Sequence, residues 1–501
     1  MYLGLDFGTS SVKGVIIDDK QKILATASSP LKVSRPHPGW SEQNPEDWWK
    51  AANNVVKALR KAKPKAVAAV KGIGMSGQQH GATLLDKNGK VLRPCILWND
   101  ARSFEECKDI LRDCPDAPAI TGNVPLAGFT APKLVWVRKH EPKVFDQVAK
   151  VLLPKDYIRY RLTGDFATEV SDASGTLLLD VKARAWHTGL MGKLQIDPAL
   201  LPRVVESQTV TGTLSPEAAA MLGLAPGVPV VGGGGDQAAG AVGTGVVLPG
   251  LVSASMGTSG VIFAASGSPQ TDPLGRVHTM CHAIPDTWCV FGCMLSAGGS
   301  LQWLRNTLFA AEIKKAGDPG SIYPAIIKEA QSAAAGAENL FFLPYLTGER
   351  CPHPDPAARG AFIGLTPRHD RRHLIRAVLE GITFGMREQI QIFREMKIPI
   401  QQVRASGGGA RSEFWRQLQA DMYNAPVVTI NVSEGAALGA AILAAVGQGH
   451  YASVPQATKA IIQIRTTAKP SKKAAALYDA QYQKYAALYP SLKPNFRSLC
   501  G

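Results

Sequence analysis

YLGLDFGTSSVKGVII (residues 2–17) and VSASMGTSGVIFAAS (residues 252–266) are two versions of one phrase. Each is a short apolar run, the triplet Gly-Thr-Ser, and a second apolar run. Gly8, Thr9 and Ser10 stand half a chain before Gly257, Thr258 and Ser259. Such a phrase reads as strand, tight turn, strand. Glycine admits the turn, and the hydroxyls lie beside freed backbone N–H groups, a concavity that suits anions. Two such turns, one in each half, predict two similar lobes facing one polyphosphate. A single copy would mean no more than a tight turn.

Composition bounds what can surround these turns. A chain of 501 residues is too long for one ordinary core and predicts two to four domains. The chain opens on the first strand without a basic and apolar leader, so no secretory signal is expected and a cytoplasmic location is. Residues 238–271 carry no charge, but they are dense in Gly, Ser and Thr and contain Pro249, so a membrane span is not expected. Eight cysteines are scattered without a CxxC pair or zinc-finger spacing and read as reduced thiols. The net charge of +15 is spread along the helices and never interleaves with aromatics. It therefore reads as a solvated surface and not as a nucleic-acid site.

Working outward, strands are expected at 2–6, 12–17 and 23–28. Asn44 followed by Pro45 and two acids caps a helix, with Trp48, Trp49, Ala52, Val55, Val56 and Leu59 as its apolar stripe. Strand-like runs follow at 66–75 and 83–85, then a helical block at about 132–163. VPVVGGGGDQAAGAVGTG (228–245) reads as a buried strand breaking into a glycine-rich turn. Long helical patterns occupy 371–395, 412–424 and 435–446, with a short strand at 403–406. Strands first and helices crossing back make an α/β fold. The cut falls near residue 245: 1–244 as a sugar-binding lobe with the catalytic base, 245–501 as a nucleotide-binding lobe, with a cleft between them. Trp136 and Trp303 read as core.

Several loops carry candidate chemistry. In GGGGDQAAG (232–240), Asp236 follows four glycines, and an isolated carboxylate beside bare backbone suits a general base for an alcohol. The same Asp fits a helix N-cap equally well. SGGGARSEFW (406–415) places Gly408, Gly409 and Ser412 between a strand and a helix start, where a nucleotide can lie. A plain strand-to-helix turn is the alternative. LSAGGSLQW (295–303), with Gly298 and Gln302, is a further glycine pair ahead of a helix. Asp6, ending the first strand, can hold Mg²⁺ near the phosphates or can only stabilise the turn. GQQHG (77–81) offers Gln79 and His80 to a polyol, although His80 also fits an ordinary surface histidine. Trp98, Asn99 and Asp100 put aromatic, amide and carboxylate groups in one turn, as a sugar site does and as a capped helix start also does. No GxxxxGK[ST] occurs and no GxGxxG follows the first strand, which excludes a P-loop and argues against a dinucleotide fold. Asp6-Phe7-Gly8 is not a protein-kinase DFG, because no glycine-rich loop or HRD segment precedes it.

Taken together, these residues resemble the FGGY carbohydrate kinase family over nearly the whole chain. GFTAPKLVWVRKH (128–140) and GAFIGLTPRHDRRHLIRAVLEG (360–381) resemble its two signatures. Residues 34–49, 80–86, 96–102, 152–164, 171–176 and 342–350 are similar to stretches of its members that act on D-xylulose. The resemblance implies a two-lobed, actin-like (ribonuclease H-like) ATPase fold. It implies ATP-dependent phosphorylation of D-xylulose at C5, with a related ketose or polyol such as ribulose as the alternative. It makes Asp236 the base and gives Gln79, His80 and Gln237 to the substrate. It gives Thr9, Ser10, Lys13 and Thr258 to the phosphates, and Gly298, Gln302, Gly408 and Ser412 to the nucleotide. An ordinary carboxyl pKa of about 4 would serve such a base. Sugar and ATP are the implied partners, with a homodimer left open. The rival class is a non-enzymatic actin-like ATPase, which has no need of a sugar loop such as GQQHG.

Overall fold

The computed structural model describes residues 1–20, 22–432 and 435–499. The strands of the two large sheets are numbered in chain order. The first sheet holds β1 (Tyr2–Phe7), β2 (Ser11–Ile17), β3 (Ile23–Pro30), β4 (Ile73–Gly77), β5 (Val210–Thr213), β6 (Pro229–Val231) and β7 (Gly234–Gly235). Its order is β5-β6-β4-β1-β2-β3, with β7 added on β4. The second holds β8 (Gly250–Met256), β9 (Gly260–Ser266), β10 (His278–Cys281), β11 (Trp288–Met294), β12 (Ile400–Gly407), β13 (Val427–Ile430) and β14 (Ile464–Ala468). Its order is β10-β11-β9-β8-β12-β13-β14.

The duplication is visible in the pairing. β1 runs antiparallel to β2 and parallel to β4, and β8 runs antiparallel to β9 and parallel to β12. Each Gly-Thr-Ser triplet is the turn of its hairpin, closed by the pairs Phe7 with Val12 and Met256 with Gly260. This repeated arrangement is the two-lobed, actin-like ATPase fold.

Helices join the two sheets. α1 (Pro45–Ala62) begins where Asn44 accepts from the Glu46 N–H, and its whole expected stripe is buried. Each large apolar side chain so buried contributes roughly 1.5–3 kcal/mol relative to exposure. α2 (Asp236–Thr244) leaves β7 and ends at Gly245, whose φ is +72°. α3 (Gly298–Leu308), α4 (Arg371–Glu395) and α5 (Glu413–Tyr423) belong to the second half. α6 (Gly435–Gly447) comes late in the chain yet lies on the first sheet. A Cβ on Gly4 would sit 2.0 Å from the Ala437 carbonyl oxygen, and one on Gly74 1.9 Å from that of Ala440. α2 and α6 cross just as closely, so glycine and alanine are what let the halves meet there.

Some expectations are corrected. Residues 64–68 form a short helix with Pro64 at its first position, so the strand of that region is only Ile73–Gly77. Proline fixes the helical φ, and the Ala-rich run after it carries no alternating pattern. The block at 132–163 is two main helices, Thr130–His140 and Pro154–Thr163, divided by a strand, Lys150–Leu152, that pairs with Thr83–Leu85. Trp303 is exposed and stacks on Phe342, unlike buried Trp136. All seven described cysteines are free. Among the described residues no helix is long and apolar enough to cross a membrane.

Candidate active site

β7 pairs with the end of β4, beside the end of β1, and this brings Asp236 to Asp6. Asp236 is the first residue of α2 and accepts from the Gln237 N–H at 2.8 Å. Burial, with the charge of Asp6 added, pushes its pKa up to about 7. That exceeds the ordinary value the sequence suggested. Burial likewise raises Asp6 to about 6, against the pull of Ser76 and Lys13, and its Oδ1 has no hydrogen-bond partner among the described residues. Two half-buried carboxylates with this little compensation make a place that favours a cation.

A cleft of about 650 Å³ opens in the second half. Met256, Gly257, Thr258, Gly298, Gln302, Gly408, Gly409 and Ser412 line it, so the structure gathers the loops 295–303 and 406–415 and the second hairpin into one wall, while the loop 232–240 does not line it. The hairpin is fixed to the start of α3: the Gly298 N–H donates to the Gly257 carbonyl at 2.9 Å and the Gly299 N–H to that of Thr258 at 3.0 Å. Gly407 has φ +76°, and a Cβ there would lie 2.3 Å from the Met256 carbonyl oxygen. The Ser412 hydroxyl caps α5 by accepting from the Trp415 N–H at 3.2 Å. Tyr323, Pro324, Ile327 and Trp415 supply apolar walls that no motif marked.

The first hairpin is tied to the sugar turn. The Thr9 hydroxyl accepts from the Trp98 indole N–H at 2.9 Å and donates to Gln78 Oε1 at 3.0 Å. It is therefore committed, and the exposed parts of this turn are Ser10 and, on β2 opposite Asp6, Lys13. Gln79 is buried and its amide donates to the Ser171 carbonyl at 3.3 Å and to Met280 Sδ at 3.7 Å. His80 lies within the structure and not on an open surface. Its φ is +68°, a conformation that costs a non-glycine residue energy. Thr130 Oγ1 at 3.1 Å and Lys133 Nζ at 2.8 Å hold its carbonyl there. His80 Nδ1 meets the Gly175 carbonyl at 2.8 Å, so this nitrogen carries the proton and Nε2 is left as an acceptor. Burial lowers the ring pKa to about 3 and keeps it neutral.

Asp100 is placed differently from its expected sugar contact. Its oxygens accept from the Ser41 N–H at 2.6 Å and from the Arg102 guanidinium at 2.8 and 2.9 Å. Both oxygens are occupied, so Asp100 shapes the turn. Asn99 stands exposed on that turn.

Residues 1–243 match the N-terminal domain of the FGGY family of carbohydrate kinases, and residues 252–448 match its C-terminal domain. The chain belongs to the FGGY family. A xylulose kinase of Escherichia coli K12 is 42% identical over 495 residues, 99% of each chain. A xyloylose kinase of Brucella ovis superposes with a TM-score of 0.91 at 44% identity, covering 98% of this chain and 99% of that one. A xylulose kinase of Rhodospirillum rubrum gives 0.91 at 33% identity over 99% of both.

Among the described residues no three His, Cys, Asp or Glu converge as a metal cage. The unpaired Oδ1 of Asp6 facing the charge of Asp236 fits a hydrated cation, Mg²⁺, that draws most of its ligands from water and phosphate. Sequence reading missed Phe129, Thr130, Lys133, Ser171 and His278. The first three sit inside GFTAPK, which was read as a family signature without a task for its side chains.

Proposed function

We propose that this chain transfers the terminal phosphoryl group of ATP to the C5 hydroxyl of D-xylulose. The observation that carries the reading is Asp236: a half-buried carboxylate of raised pKa at a helix start, beside Asp6, in a chain alike over its length to xylulose kinases. Residues 1–244 would hold the sugar, and residues 245–501 the nucleotide.

The triphosphate would lie between the two Gly-Thr-Ser turns, with the Thr258 hydroxyl of the second turn, which lines the cleft, facing it. Lys13 would meet the transferred group from the first turn. Mg²⁺ held through Asp6 would neutralise charge developing on the phosphates. Gln237 holds the Asp236 carboxylate through its backbone N–H, and the carboxylate would orient the sugar hydroxyl and accept its proton. A pKa near 7 suits that work, because a base operates best near the ambient pH. Lobe closure around α2 and α6 would exclude water, the competing acceptor. A kinase that consumes ATP and a free sugar belongs in the cytoplasm.

The test is ADP release across a sugar panel with wild type and Asp236→Ala. D-xylulose should be the best substrate, and the variant should lose at least about 10³-fold in kcat while still binding sugar. Near-wild-type turnover by Asp236→Ala would overturn the assignment.

A further inference from the structure

Both halves build the wall facing the sugar loop, with His278 and Arg350 from the second. Phe129 stands between two histidines, with ring centroids 4.6 Å from His80 and 5.6 Å from His278. His278 comes from β10, yet its Nδ1 meets Asn123 Oδ1 at 2.9 Å. The Asn123 amide already donates to the carbonyls of Thr121 and Thr279, so its oxygen accepts and His278 Nδ1 is the protonated nitrogen. His278 Nε2, like that of His80, is therefore an acceptor. Above them Arg350 lays its guanidinium over the Trp98 indole, 5.7 Å from the ring centroid. Its backbone is pinned by the buried Glu349 carboxylate, which takes the N–H groups of Leu295 at 3.0 Å and Arg350 at 2.7 Å. Among the described residues the guanidinium makes no hydrogen bond and no ion pair. Its positive charge helps keep both histidines neutral.

An inventory of donors and acceptors gives this cation a task. Both Nε2 atoms and the Asp236 carboxylate are acceptors, and the Gln237 amide is spent on Asp236. The Gln79 amide N–H groups are spent on Ser171 and Met280, the Trp98 N–H on Thr9, and the Thr130 hydroxyl on His80. These partners suit the hydroxyls of a sugar, which can donate. Besides the exposed Asn99 amide, these groups leave no side-chain donor for a carbonyl oxygen, which can only accept. We propose that Arg350 is a specificity-determining residue of the sugar site, donating from the second lobe to the carbonyl oxygen of an open-chain ketose. The inference rests on the ketose-kinase reading above and deepens it. It explains why the second half places an unpaired cation beside a neutral substrate, and it makes the sugar a bridge between the lobes.

The experiment compares a ketose with its C2 alcohol. D-xylulose is assayed as substrate and xylitol as competitive inhibitor, with wild type and Arg350→Met, a substitution that keeps apolar contact with Trp98 and removes the donors. The KM for D-xylulose should rise about 30-fold while the Ki for xylitol moves less than about 3-fold, because a hydroxyl can turn to donate to the histidines. The KM for ATP should stay within about 2-fold. Equal effects on ketose and alcohol, or none on either, overturn the proposal. Should Arg350→Met fail to bind ATP, Arg350→Lys replaces it. That variant keeps the charge without the fork, and an unchanged ratio of xylulose KM to xylitol Ki overturns the proposal equally. A wild-type protein that turns over D-ribulose and not D-xylulose refutes the proposed substrate alone, and the comparison is then made with D-ribulose and ribitol.

Discussion

The indole N–H of Trp98 donates to the hydroxyl of Thr9 at 2.9 Å, and this one bond ties the sugar turn to the first phosphate hairpin. Thr9 passes the connection on to Gln78, and Gln78 to Gln43 at 2.8 Å. Trp98→Phe keeps the aromatic face and removes only the donor. It should lower kcat/KM about 10-fold for sugar and for ATP alike, because the bond positions both sides of the transfer. Steady-state kinetics with each substrate varied in turn checks this. A change confined to the sugar KM would separate the hairpin from the turn.

The two raised carboxylates make stability depend on pH in a stated direction. Asp6 and Asp236 have folded values of about 6 and about 7, above those of unfolded carboxyls. Between the unfolded and folded pKa values the native chain binds more protons, so stability falls as pH rises through that window. Asp236→Asn removes one such group. Its unfolding free energy should exceed that of wild type on the order of 2 kcal/mol at pH 8, and the difference should vanish near pH 4. Urea unfolding of the nucleotide-free protein at the two pH values reads this directly. A variant less stable than wild type at pH 8 would mean that Asp236 gains more from its surroundings than burial costs it.

Lys133 is fully buried and has no carboxylate partner among its hydrogen bonds; it donates to the carbonyls of His80 at 2.8 Å and Gly128 at 2.7 Å. Burial lowers its pKa to about 7. Lys133→Met should leave His80 without its main tether in a left-handed conformation. The sugar KM should rise at least about 10-fold, stability should drop by about 1–3 kcal/mol, and the ATP KM should hold. An intact sugar KM at reduced stability would assign Lys133 to the core alone.

Much of this was legible because short local patterns carry it. Two Gly-Thr-Ser hairpins, an Asn-Pro helix start and the glycine clusters each have a backbone reason that can be seen in a few residues. What stayed hidden needs the fold. Arg350 and Trp98 are far apart in sequence, and neither residue alone says that one will lie over the other. Asp100 looks like a ligand until Arg102 and the Ser41 N–H are seen to occupy it. The strand Lys150–Leu152 was lost inside a helical pattern because three residues carry too little periodicity, and only its pairing with Thr83–Leu85 defines it.

The crossing of α2 and α6 allows a prediction with its own control. A Cβ on Gly243 would lie 1.8 Å from the Gly435 carbonyl oxygen, and one on Gly439 1.8 Å from that of Ala239. Nothing lies within 4 Å of a Cβ built on Gly240, one turn away on the same helix as Gly243. Gly240→Ala should therefore stabilise by about 0.5–1 kcal/mol through helix propensity. Gly243→Ala gains the same propensity and must push two helix backbones apart, so it should lose about 1–3 kcal/mol net. Because α2 starts at Asp236 and α6 lies on the first sheet, that displacement reaches the base, and kcat should fall with stability. Thermal unfolding and kcat of the two variants side by side give the answer. Equal behaviour would show that the crossing can loosen without disturbing the site.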